Sequence, residues 1–166
     1  MRTLAWLLLG MLPGSASAAG LVNLSARGVT AAGAEVLTAG FVIAGETSKR
    51  VLMRAAGPAL TGLGVTGALA QVRLEVFRNA TLLATNSGWD SGGDGVALAQ
   101  AMRAVGAFEF ATGSRDAALL LSLEPGNYTA QVVPVGVAGI TGVALVEIYD
   151  AEPASAARLI NRRDRQ

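Results

Sequence analysis

In the stretch Ala84-Thr-Asn86-Ser-Gly-Trp89-Asp90-Ser-Gly-Gly-Asp94, oxygen-bearing side chains recur every fourth residue, with a tryptophan among them. Asn86, Asp90 and Asp94 on a Gly-rich loop, with Asp116 further on, are oxygen donors of the kind a calcium ion takes. Trp89 is the one aromatic placed to stack on a sugar ring there. The chain has no histidine and no cysteine, so zinc, copper and iron sites have no ligands to draw on.

The same absence rules out a Ser-His-Asp triad. Asp90-Ser-Gly-Gly93 spells the core of a trypsin-like serine motif, but no imidazole exists to take the serine proton. Lys49, the only lysine, would have to act as base instead. Gly62-Leu-Gly64-Val-Thr-Gly67 spells a dinucleotide fingerprint and lacks its setting, because a strand-like run and not a helix follows the third glycine. These glycines read as backbone punctuation. Glu75, Glu109, Glu124 and Glu147 leave a carboxylate pair for glycoside hydrolysis open, as the chemistry of a small secreted hydrolase. Arg54 and Glu147 stand in otherwise apolar segments, where a charge must be paired or reach solvent. An ion pair of Arg54 with Glu75 or Glu147 is expected.

The elements that carry these residues are mostly strands. Residues 35–43, 50–55, 72–77, 81–85, 117–123, 128–135 and 141–149 are short, rich in Leu and β-branched residues, and bounded by Gly, Pro and Asn. In 72–77, Val72, Leu74 and Val76 share one face and Arg73, Glu75 and Phe77 the other. Arg78-Asn-Ala-Thr81 reads as a tight link, and Glu124-Pro-Gly-Asn127 as a turn between two strands. Residues 95–106 place Val96, Ala99, Met102 and Val105 on one helical face. The predicted fold is all-β: an antiparallel, jelly-roll-like β-sandwich with one short helix in a long connection.

The ends have their own character. Arg2, the apolar run Leu4–Leu12 and Ala16-Ser-Ala18 form a secretory signal over residues 1–18. The run is too short to span a bilayer, which takes about 20 apolar residues, and no later segment suffices. Lack of cysteine in an exported chain points to a bacterial periplasmic, cell-surface or extracellular protein that folds by core burial alone. The domain is expected over residues 19–152 and a basic tail over 153–166. Acids outnumber bases in the domain and bases outnumber acids in the tail. Basic charge confined to an end segment argues against nucleic acid as partner. Leu21-Val-Asn23-Leu-Ser-Ala-Arg27 is echoed by Leu159-Ile-Asn161-Arg-Arg-Asp-Arg165, one domain length on.

LVNLSARG at 21–28, VLTAGFVIAG at 36–45, KRVLMRAAGPAL at 49–60, GVTGALAQVRLEVF at 64–77, GSRDAALLLSLEPGNYTAQV at 113–132 and TGVALVEIYD at 141–150 resemble an uncharacterised repeat module of secreted bacterial proteins. More loosely, SLEPGNYTAQV is similar to the strand–turn–strand signature of bacterial pre-peptidase C-terminal β-sandwich domains. In the repeat module the stretch before the tryptophan is usually richer in acids than Asn86-Ser-Gly-Trp89, which weakens a carried-over cation site. Taken with the residues above, an exported, non-catalytic structural or interaction module is expected, with no cofactor or with calcium alone. Its partner would be a glycan or a cell-surface protein, with adhesion through the 86–94 loop as the alternative role.

Overall fold

A computed structural model of the chain describes residues 20–33 and 35–161. The signal segment 1–18 and the tail beyond Asn161 lie outside the described residues. Among the described residues nine strands form two antiparallel sheets. β1 (Asn23–Ala31), β8 (Thr141–Asp150), β3 (Lys49–Ala56) and β6 (Ala117–Leu123) lie side by side in the first sheet. The second runs β5 (Thr81–Asn86), β4 (Val72–Arg78), β7 (Gly126–Pro134), β2 (Leu37–Ala44) and β9 (Arg158–Asn161). With the exception of the β4–β5 hairpin, successive strands alternate between the sheets. This is the jelly-roll arrangement, and it agrees with the fold read from the sequence.

Alternation fills the space between the sheets. Val51, Met53 and Ala55 of β3 and Ala144, Val146 and Ile148 of β8 face Leu74 and Val76 of β4, Ala130 and Val132 of β7, and Phe41 and Ile43 of β2. Phe41 lies opposite Tyr128 in the β2–β7 ladder, and their rings stack with centroids 5.4 Å apart. Such a pair adds about 0.5–1.5 kcal/mol beyond the area it buries. The Tyr128 hydroxyl donates to the Glu124 carbonyl at 2.6 Å and ties down the Glu124–Asn127 link, which passes from one sheet to the other. The β4–β5 link is a true hairpin turn, with Asn79 in the left-handed region at φ 55°.

Two strands escape the sequence pattern. β1 pairs along its length with β8, yet it is an edge strand that carries Ser25, Arg27 and Gly28 and shows little hydrophobic contrast. β9 lies within the expected basic tail. Leu159 is fully buried, so the folded unit continues to at least Asn161. The Leu21 N–H donates to the Leu159 carbonyl at 2.9 Å, which sets the two echoed phrases side by side and closes the outer edge of β9.

The one expected helix is joined by a second. α1 (Pro58–Gly62) precedes α2 (Gly95–Ala104). On α2 the buried residues are Leu98 and Met102, while Val96 is exposed, so the apolar face is rotated from the one expected. No helix opens at Gly67. Instead its carbonyl accepts from the Val143 N–H at 2.8 Å, and Leu69 enters the core. A side chain at Gly142 would meet the Gly67 oxygen at 2.9 Å, so the loop lies against bare backbone.

Candidate functional site

The connection from β5 to β6, residues 87–116, folds back over the outer face of the first sheet. It brings Trp89, Leu98, Met102, Ala107 and Phe110 onto Leu52, Ala56, Ala118 and Tyr149. The first sheet is therefore covered on both faces, and every residue singled out for chemistry in 86–94 lies in or beside this second layer.

Apart from Asp94, their side chains are engaged with the protein itself. Asn86 accepts from the Ala118 N–H through Oδ1 at 3.1 Å, and its amide approaches the Gly88 carbonyl at 3.4 Å. Asp90 Oδ2 accepts from the Gly113 N–H at 2.7 Å. Asp94 sits exposed before α2 and makes no capping hydrogen bond with its side chain. Ser91, the serine of the trypsin-like phrase, donates to the Gly88 carbonyl at 2.7 Å. Among the described residues no three acidic side chains converge as a metal site would need. Of the calcium candidates Asn86, Asp90 and Asp94, the first two fasten the loop to β6 and to Gly113.

Trp89 is engaged in the same way. It is 6% exposed, its indole N–H donates to the Ala111 carbonyl at 3.0 Å, and its ring packs against Phe110 at 6.4 Å. A face so covered is closed to a sugar. The ring's remaining edge and Asn86 help to line a groove of about 230 Å³, floored by Ala118–Leu121 and walled by Gly92, Asp94 and Ala97, with Arg50 at its side.

Asp116 has more to hold than the sequence suggested. It is fully buried; Oδ1 accepts from the N–H groups of Gly57 (2.8 Å) and Ala59 (3.2 Å), and Oδ2 from the Ser114 hydroxyl at 2.7 Å. One carboxylate thus pins α1 to the end of the β5–β6 connection. Gly57 is as restricted, since a Cβ there would stand 2.7 Å from the Leu69 carbonyl oxygen.

Arg54 is the centre of the layer. β3 and β8 place it directly opposite Glu147, and its Nη1 lies 3.6 Å from Glu147 Oε2. Phe108 and Phe110, set edge to face, both lie against the guanidinium, at 4.3 and 4.1 Å from their ring centroids. Tyr149 donates to Glu147 Oε1 at 2.8 Å. Arg54 has no exposure, and its three guanidinium nitrogens and Glu147 Oε2 have no hydrogen-bond partner among the described residues. Burial draws the Arg54 pKa down, against the opposing fields of Glu147, Tyr149 and Asp116. Of the two partners expected for Arg54, Glu147 is the one found. Glu75 instead takes Arg73 at 2.8 Å on the outer face of the second sheet. A second buried pair, absent from the expectations, joins Lys49 Nζ to Asp150 Oδ2 at 2.9 Å, and Nζ also donates to the Glu152 carbonyl. Lys49 is therefore committed to the fold. Glu109 is engaged by Arg103 at 2.6 Å.

Burial first, then the hydrogen bond to Glu147, push the Tyr149 phenol from its ordinary 10.0 up to about 12. The unfolded chain releases this proton first, so the contribution of the neutral phenol is complete below pH 10 and is lost as pH rises toward 12. Tyr149→Phe is expected to flatten the alkaline fall of stability in that window, measured by urea unfolding at stepped pH. Some slope will remain from Tyr128, whose phenol burial also raises. Identical slopes in the two proteins would contradict the assignment.

No protein-family model matches the chain, and no curated protein does. Among the described residues no helix is long and apolar enough to cross a membrane.

Proposed function

We propose that the chain is an exported, non-catalytic structural or interaction module that acts at the bacterial cell surface or outside the cell. One observation carries this reading. The residues best suited to chemistry in the second layer are spent on holding it: Asn86 on Ala118, Trp89 on Ala111, Asp90 on Gly113, and Asp116 on Gly57 and Ala59. A catalytic or calcium-binding group needs free lone pairs directed at a ligand. The signal-like segment at 1–18 and the likeness of LVNLSARG and TGVALVEIYD to secreted repeat modules are the grounds for export.

Binding measurements on the chain begun at Ala19 test the reading. A glycan array is expected to stay silent with and without calcium, and millimolar calcium is expected to leave the melting temperature unchanged. Glycan binding that requires Trp89 or Asp94, or a calcium-dependent rise in melting temperature that Asp90→Asn removes, would replace the scaffold reading with the adhesion one.

A further inference from the structure

We propose that the outer edge of β6 pairs antiparallel with the same edge of a second copy of this chain, on a two-fold axis through Leu121. The proposal rests on reading the chain as an interaction module and names its partner.

The ladder fixes which backbone groups face outward. Arg50 lies opposite Ser122, and its carbonyl accepts from the Ala151 N–H on the β8 side. The odd-numbered residues of β6 therefore bond to β3, and the even-numbered ones turn their N–H and C=O away from the sheet. At the start of β6 these outward groups are occupied. Asn86 accepts from the Ala118 N–H, and the Asp116 carbonyl accepts from Gly88 and Trp89. From Leu120 onward no strand among the described residues lies beyond β6 in the sheet.

The other edges of the sandwich are guarded. Arg27 stands on β1, Leu21 closes β9, and β5 carries a bulge against β4. β6 has no charge, proline or bulge, the devices that keep natural edges apart. It reads Ala-Ala-Leu-Leu-Leu-Ser-Leu, and Leu119, Leu120 and Leu121 are only half-buried. Across the sandwich from β6, β5 leaves Leu82 and Leu83 half-exposed on the same flank.

The strand is its own complement. With Leu121 opposite its symmetry mate, Leu120 exchanges hydrogen bonds with the partner's Ser122, and Leu119 falls opposite the partner's Leu123. Each leucine left uncovered on the inner face then meets a leucine, and no charge meets its like. An isologous contact of this kind closes at two subunits. A strand from another protein could use the same backbone groups, but only a second copy is matched by the side chains on the page.

Sedimentation equilibrium of the chain begun at Ala19, across the micromolar range, should give a concentration-dependent dimer. Ser122→Pro removes an outward N–H that the β3 ladder does not use, so it should abolish the dimer with the melting temperature kept. The natural chain has no cysteine, so Leu121→Cys introduces a lone thiol. Opposing residues in a non-hydrogen-bonded pair lie about 4.5 Å apart at Cα, within disulfide reach. Mild oxidation should therefore cross-link Leu121→Cys at least tenfold faster than Val137→Cys, at a loop position 77% exposed. A dimer that survives Ser122→Pro while the two cysteine variants cross-link equally would overturn the proposal. So would a monomer throughout, including one whose β6 edge takes a strand from a different protein. Such a monomer overturns the dimer alone, whereas calcium-dependent glycan binding would overturn the module reading itself.

Discussion

Glu147→Gln is expected to destabilise the domain by about 3 kcal/mol or more, the range for removing one partner of a buried ion pair. Glutamine keeps an acceptor for the Tyr149 hydroxyl, which donates to Oε1 at 2.8 Å. The change therefore removes the charge and little else, and Arg54 is left buried without the carboxylate directly across from it. The converse substitution should cost less. In Arg54→Met the flexible thioether lies against Phe108 and Phe110 and makes favourable contacts with both rings. The double variant Arg54→Met with Glu147→Gln should return to within about 1 kcal/mol of wild type or exceed it, because apolar replacement of a buried pair is often neutral or stabilising. Urea unfolding of the four proteins measures this directly. If Glu147→Gln were silent, the 3.6 Å approach would be carrying no compensation, and Arg54 would depend on Asp116 and the two rings instead.

Arg54 and Glu147 also mark how far the sequence reaches. A charge inside an apolar strand must find a partner, so the need for one was legible from residue type, while the choice of Glu147 over Glu75 came from the β3–β8 register. The alternation within 72–77 already set Arg73 and Glu75 on one face of a strand, and they bond to each other there. Strands with strong hydrophobic contrast were legible for the same reason. β1 and β9 were not, because an edge strand needs to bury only part of one face: Leu24 and Ala26 on β1, and Leu159 on β9, are the small apolar share each contributes. The second layer was the larger gap. Leu52 and Ala56 belong to one strand with Met53 and Ala55, and only the fold shows that opposite faces of β3 are buried against different elements. The continuous apolar spelling of that strand was the available signal, since two-sided burial erases alternation. Asp116 gave no comparable signal, because its partners Gly57 and Ala59 are backbone groups far away in the chain.

Trp89→Ala should cost about 3–5 kcal/mol, as removal of a large buried aromatic does, and it should do so without altering any binding. The ring packs on Phe110, Phe110 meets Phe108 edge-on at 5.7 Å, and those two rings both lie against Arg54. Removing Trp89 therefore loosens the cover over a buried guanidinium as well as opening a cavity. Its cost should couple to that of Arg54→Met, giving a double variant less impaired than the two single effects imply. Trp89→Phe retains most of the packing and gives up the indole hydrogen bond to Ala111, whose loss costs about 1 kcal/mol. In the chain begun at Ala19, Trp89 is the single tryptophan, so its fluorescence reports on this layer alone. Emission should be blue-shifted in the native state, resist acrylamide, and move to the red with the urea transition. A red-shifted, freely quenched emission, or Trp89→Ala at wild-type stability, would mean that the ring faces solvent and stands free to stack on a ligand. The predicted cost is large because the same contacts that deny the ring to a sugar are the ones that fasten residues 87–116 to the sheet.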